Sequence, residues 1–153
     1  GSDLEEVKQT EIAAQALKVK IQVVKVKDPS EFESAYAAIR KNGANALVLI
    51  QGSFTGFHRK ELIELGIKNR LPTLCEVARW TEDGCLMSYG PDLNYQWHRA
   101  ATFVDKILKG RTPADLPVEQ PMKFELIVNL QTAKQIGLAI PPNLLVRANK
   151  VIR

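Results

Sequence analysis

The chain has 153 residues, 45% hydrophobic and 25% charged, a length that predicts one domain burying about 69% of its unfolded surface and a composition that excludes disorder. No apolar run reaches the roughly 18 residues of a membrane helix, and no basic start leads into an apolar stretch, so neither a span nor a signal peptide is expected. The net charge is +4, but the basic residues are dispersed, and the densest group, His58-Arg59-Lys60, runs at once into Glu61 and Glu64, which reads as a solvated helix face and not as a nucleic-acid or phosphate patch.

The elements alternate. Residues 3–17 read as a helix, with Leu4, Val7, Ile12, Ala13 and Ala16 near helical spacing. Residues 19–26 alternate apolar and polar and read as a strand. Asp28 or Ser30 then caps a helix over 30–42, which Asn42-Gly43 ends. The run ALVLI at 46–50 has the composition of a strand buried on both faces of a parallel sheet. A helix over 57–69 follows, then short strands at 71–75 and 84–89. Residues 92–109 form the longest helix, with Trp97, Ala100, Ala101, Val104, Ile107 and Leu108 on its apolar side. Pro113, Pro117 and Pro121 make 111–121 a connector. A strand at 124–130, a short helix at 132–136 stopped by Gly137, and a last helix opened by Pro141-Pro142 complete the chain. Strands separated by helices of this length predict a parallel sheet with helices on its faces.

In such sheets ligands bind beyond the carboxyl ends of the strands. That rule selects Lys27-Asp28, Gln51-Gly52-Ser53-Phe54, residues 76–79 and Tyr89-Gly90. The sequence contains no GxGxxG, no GxxxxGK[ST] and no GxSxG, and Gly52-Ser53-Phe54-Thr55-Gly56 has no lysine in register for a phosphate loop. Ser53 and His58 fall on different elements, so a nucleophile–base pair is not expected. Asp28 reads as a helix cap. Glu76 and Arg79 can clamp a zwitterion or pair with each other. Phe54, Trp80 and Tyr89 each follow a strand, where aromatic walls suit a small amphipathic solute. Two histidines and two cysteines give no zinc site. Cys75 and Cys85 are expected as buried free thiols.

The C-terminal third carries a specific pattern. Residues 115–152 read DLPVEQPMKFELIVNLQTAKQIGLAIPPNLLVRANKVI, preceded by LMSYGPDLNYQWHRAATFVDKILKG at 86–110. Together with residues 25–74, these closely resemble the substrate-binding proteins of ABC transporters, the group that includes tryptophan- and tyrosine-type importer components. The resemblance covers the chain after its first two residues, Gly1-Ser2, which look like a cloning scar. Met122 stands where the family pattern has threonine.

The resemblance implies an α/β fold: a three-layer, parallel-sheet lobe of a type I periplasmic binding protein. Its strand order is flavodoxin-like, 2-1-3-4-5, with the first strand and the first lobe missing. Residues 3–90 would form the second-lobe core, and 91–121 a crossing helix and connector belonging partly to the first lobe. Residues 122–153 would hold the returning strand and C-terminal helices. It further implies an extracytoplasmic solute-binding component, not an enzyme and without cofactor or metal, that hands a small amino-acid-like solute, aromatic ones included, to an ABC permease. Ser53 would hydrogen-bond the solute, Phe54 and Tyr89 would stack on it, and Glu76 or Arg79 would meet its ammonium or carboxylate. A ligand-sensing module for a signalling partner is the alternative, and a flavodoxin-like enzyme a more remote one. Without a first strand, 19–26 and 46–51 would face an empty slot. Either they close on each other or two copies share strands in a homodimer.

Overall fold

The computed structural model describes residues 2–153. The first expected helix is α1 (Ser2–Ala16), with Ala14 buried. The next segment departs from the sequence reading. Residues 19–26 form no strand, and among the described residues no backbone–backbone hydrogen bond reaches residues 20–26. Alternation makes a segment fit for a ladder, but a strand exists only beside a neighbour. Of this arm, Val24 and Val26 are partly buried and pack against the core.

Asp28 then caps a short 3₁₀ turn, Pro29–Glu31, by accepting from the Ser30 backbone N–H. Helix α2 (Phe32–Lys41) follows and turns its Phe32, Tyr36 and Ile39 side inward. Strand β1 (Leu47–Leu49) is shorter than ALVLI. The single helix expected over 57–69 is two: α3 (Ser53–Phe57) and α4 (Arg59–Lys68), broken at His58. Strand β2 (Thr73–Cys75), helix α5 (Ala78–Glu82) and strand β3 (Met87–Pro91) come next. Helix α6 (Leu93–Leu108) leaves the sheet, and the connector behind it holds one 3₁₀ turn, Pro113–Asp115. Strand β4 (Phe124–Asn129) returns, followed by α7 (Leu130–Ile136), α8 (Pro142–Arg147) and β5 (Lys150–Ile152). Gly137, at φ 75°, ends α7 in the left-handed conformation that glycine adopts at least cost.

The sheet order is β1-β2-β3-β4-β5. The expected parallel pairing holds for β1–β2, β2–β3 and β4–β5, while β4 runs antiparallel to β3. The register places Leu49, Cys75, Ser88 and Ile127 side by side on one face, and all are buried. Helices α2, α4 and α5 close that face with Phe32, Tyr36, Ile39, Leu62, Ile63 and Trp80. The Tyr36 hydroxyl donates to the Leu62 carbonyl, and burial raises its pKa well above the usual phenol range. The other face is less covered: Val48 is 49% exposed and Tyr89 57%. β1 is therefore well buried on one face only, through Leu49 at 7% exposure.

Cys75 and Cys85 are joined in a disulfide, with Cα atoms 6.7 Å apart, which corrects the expectation of free thiols. Sequence spacing alone did not bring them together. Cys75 ends β2, and α5 folds the chain back so that Cys85 enters β3 alongside it, within the ~7 Å that a disulfide can span.

Candidate functional site

The parallel strands β1, β2 and β3 end on one side of the sheet, and the residues expected there divide into three groups. Glu76 sits at the centre, directly after β2. Burial is the largest cause raising its carboxyl pKa, the Glu6 charge adds to it, and the Gln51 backbone N–H pulls the other way. No lysine or arginine among the described residues forms an ion pair with Glu76. The neighbouring strand holds it closely. A Cβ on Gly90 would lie 1.9 Å from the Glu76 carbonyl oxygen, so only glycine lets β3 approach the Glu76 backbone this closely.

Tyr89 projects from the opposite face to Ser88 and Gly90. Its exposed ring stacks on Phe124 of β4 at 5.7 Å, so one aromatic wall is already a pair. Below it, Asp92 caps α6 through the Tyr95 N–H at 3.0 Å and pairs with Lys123 at 3.1 Å. The Asp92 backbone N–H donates to the Lys123 carbonyl. The Tyr95 N–H, with Lys123 behind it, holds the Asp92 carboxyl below the usual carboxylate range. This clasp ties the point where the chain leaves the sheet to the point where it returns.

The second group lies close by but is engaged elsewhere. Phe54 packs on the core, edge-on to Phe32 at 5.8 Å and against His58 at 4.9 Å. Trp80 is fully part of the core, so it supplies no cleft wall. His58 faces Glu61, at 3.6 Å, and not Ser53. Asp28 is taken up as a cap, and its pKa falls chiefly through the Ser30 hydroxyl. The third group is open to solvent. Ser53 begins α3, and Arg79 lies on α5, both exposed and without an ion pair or side-chain hydrogen bond among the described residues. Glu76 and Arg79 do not pair with each other. Thr55 shapes the loop between them and β1, accepting from the Gly52 N–H and donating to the Ile50 carbonyl, both at 2.8 Å.

Two residues enter the site that sequence reasoning passed over. Glu6 of α1 brings its charge to Glu76 and has one carboxylate oxygen buried without a partner. Phe124 stacks on Tyr89. Neither carries a local signal: Glu6 is one acid among several on a charged helix, and Phe124 reads as the start of a strand. No cluster of three or more metal-ligating side chains occurs among the described residues. No helix among them is long and apolar enough to cross a membrane. The site is an acidic, aromatic-flanked strand end.

The sequence profile of the family described as ABC transporter substrate binding protein matches residues 2–152. No curated protein matches the chain. Solved structures do. A conserved domain protein from Vibrio cholerae O1 biovar El Tor superposes with a TM-score of 0.85 at 21% identity, over 97% of this chain and 50% of that one. An ABC domain from Streptococcus pneumoniae, in complex with L-Trp, gives 0.84 at 19% identity, over 98% and 50%. A ligand-free, open substrate-binding protein with adhesive properties from Clostridium difficile gives 0.75 at 17%, over 99% and 50%. The chain thus spans half the length of these structures, and they share its α/β fold.

Proposed function

Because the chain belongs to the ABC transporter substrate-binding protein family, we propose that it forms one lobe of the extracytoplasmic solute-binding component of an importer and performs no chemistry of its own. Its cleft takes a small amino-acid-like solute, and the ammonium group of that solute meets Glu76. The observation that carries this reading is the half-buried Glu76 carboxyl, without a cation partner, at the shared end of three parallel strands. A carboxylate held out of water and left unpaired gains most from an incoming cation. Tyr89, backed by Phe124, offers a flat wall for an aromatic side chain, in keeping with the L-Trp bound to the Streptococcus relative. Arg79 and Ser53 stand at the rim, where a solute carboxylate would lie.

Binding does its work by differential affinity. A solute touching two lobes stabilises the closed arrangement, and a permease that recognises only that arrangement reads the occupancy. The uncovered apolar side of α6 supports assigning residues 91–121 partly to the other lobe: the helix buries none of its residues, and Trp97 is 71% exposed. Titration of the chain with L-tryptophan, L-tyrosine and L-leucine, followed by amide NMR, tests the reading. Shifts should concentrate at Gln51, Ser53, Glu76 and Tyr89 and vanish in Glu76→Gln. A spectrum unmoved by millimolar concentrations of all three solutes refutes the amino-acid assignment.

A further inference from the structure

We propose that the Cys75–Cys85 disulfide is a positioning element of the solute site: joined, it holds Glu76 and Arg79 where a solute can meet them, and reduced, it lets the Glu76 end go. The inference rests on the reading of Glu76 and Arg79 as solute contacts and adds to it a dependence of binding on redox state. The bond closes a loop with sequence separation 10, and both charged residues assigned to the solute lie inside it. β2 and β3 last pair at Cys75 with Ser88, so Glu76 stands just past the end of the ladder.

The two halves of this loop are held unequally. In the half near Cys85, the Asn129 side chain donates to the Thr81 carbonyl and the Thr132 hydroxyl to the Gly84 carbonyl, both at 2.9 Å. Lys150 pairs with Glu82 and Arg59 with Asp83, both at 2.7 Å, and Trp80 and Thr81 are buried. In the half near Cys75, residues 76–79 enter no ion pair among the described residues. Cys85 itself is fully buried, and its backbone N–H donates to the Trp80 carbonyl at 2.9 Å. The disulfide thus carries the anchorage of residues 80–85 across to Cys75, one residue before Glu76.

A dithiol reductant opens the bond by exchange: two electrons and two protons pass to the sulfurs, two thiols form, and the reductant leaves as its own disulfide. Two unbonded thiols need more room than one bond, and both cysteines sit in the core at 1% exposure or less, where packing has little room to give. The less anchored end yields, so Glu76 moves while residues 80–84 stay.

Amide NMR of the chain without solute, before and after complete reduction by dithiothreitol, is expected to show shifts concentrated at residues 74–79 and Gly90. Residues 80–84 and the circular dichroism should stay nearly unchanged. L-tryptophan should bind the reduced chain about tenfold or more weakly, the loss of one charge-assisted hydrogen bond, and reoxidation should restore the affinity. Where reduction unfolds the chain, Cys75→Ala with Cys85→Ala removes the tether without the crowding and should weaken binding likewise. A crosslink that only stabilises the fold would lower the melting temperature and leave the affinity of the folded chain as it was. Equal affinity of the folded oxidised and reduced chains therefore overturns the proposal, as do shifts spread evenly over the chain or centred on residues 80–84. An oxidised chain that binds no amino acid refutes the solute reading by itself, and the amide pattern then decides alone whether the disulfide positions Glu76.

Discussion

Replacing Gly90 by alanine tests the geometry of the site without knowledge of the ligand. The added Cβ would stand 1.9 Å from the Glu76 carbonyl oxygen and 3.0 Å from its carbon. Both obstacles are backbone, so no rotamer change relieves them. To reach ordinary contact the carbonyl must retreat by about 1.5 Å. The retreat pulls against the β2–β3 pairing of Cys75 with Ser88 and against the disulfide at Cys75. Overpacking of this kind costs about 1–3 kcal/mol, and the rigid surroundings place Gly90→Ala at the upper end. At about 2–4 °C per kcal/mol for a chain of this size, the melting temperature should fall by about 6–12 °C. Thermal unfolding followed by circular dichroism reads this directly. Amide shifts at Glu76 and Gln51 should also move in the folded variant. A melting temperature within a degree of the parent, with those amides unmoved, would refute the claim that Gly90 sets the position of Glu76.

Three further outcomes are expected. Mass spectrometry of non-reduced protein should show the loss of two hydrogens, and Cys75→Ala with Cys85→Ala should lower stability by about 3 kcal/mol in urea unfolding, from the entropy of a loop with sequence separation 10. Ser88 is buried, and its hydroxyl has no partner, so Ser88→Ala should be neutral or stabilising by up to about 1 kcal/mol in the same assay; a loss of 2 kcal/mol or more (~2, well above that bound) would mean the hydroxyl is bonded. Tyr36 has its pKa raised in the folded state by burial. The unfolded chain therefore loses this proton first as pH rises past about 10, and the folded state loses stability above that point. Tyr36→Phe should flatten the alkaline limb of stability against pH while losing about 1 kcal/mol at neutral pH with the bond to Leu62.

The local code of this chain was legible residue by residue. Asp28 as a cap, Gly137 as a helix stop, the amphipathic α2 and the proline-rich connector are decided by neighbours in sequence. So is the position of Glu76, because a carboxylate directly after a buried strand lands at the strand end whatever else the fold does. Family membership was equally readable in the run at 115–152, which no generic α/β pattern demands.

Other features required the assembled sheet. Residues 19–26 have the alternation of a strand, yet pairing is a property of two segments, and the second is not beside them. Val48 reads as buried and is exposed, because burial depends on what lies over a face. Cys75 and Cys85 could be free or joined until α5 set their separation. Phe54 and Trp80 belong to the core because they pack in one cluster with residues of α2 and α4, and Glu6 belongs to the site because its charge reaches Glu76. Sequence determines what a residue can do with its nearest neighbours. Which distant surface it meets is decided by packing, because the free energy of contact exists only between two surfaces already brought together.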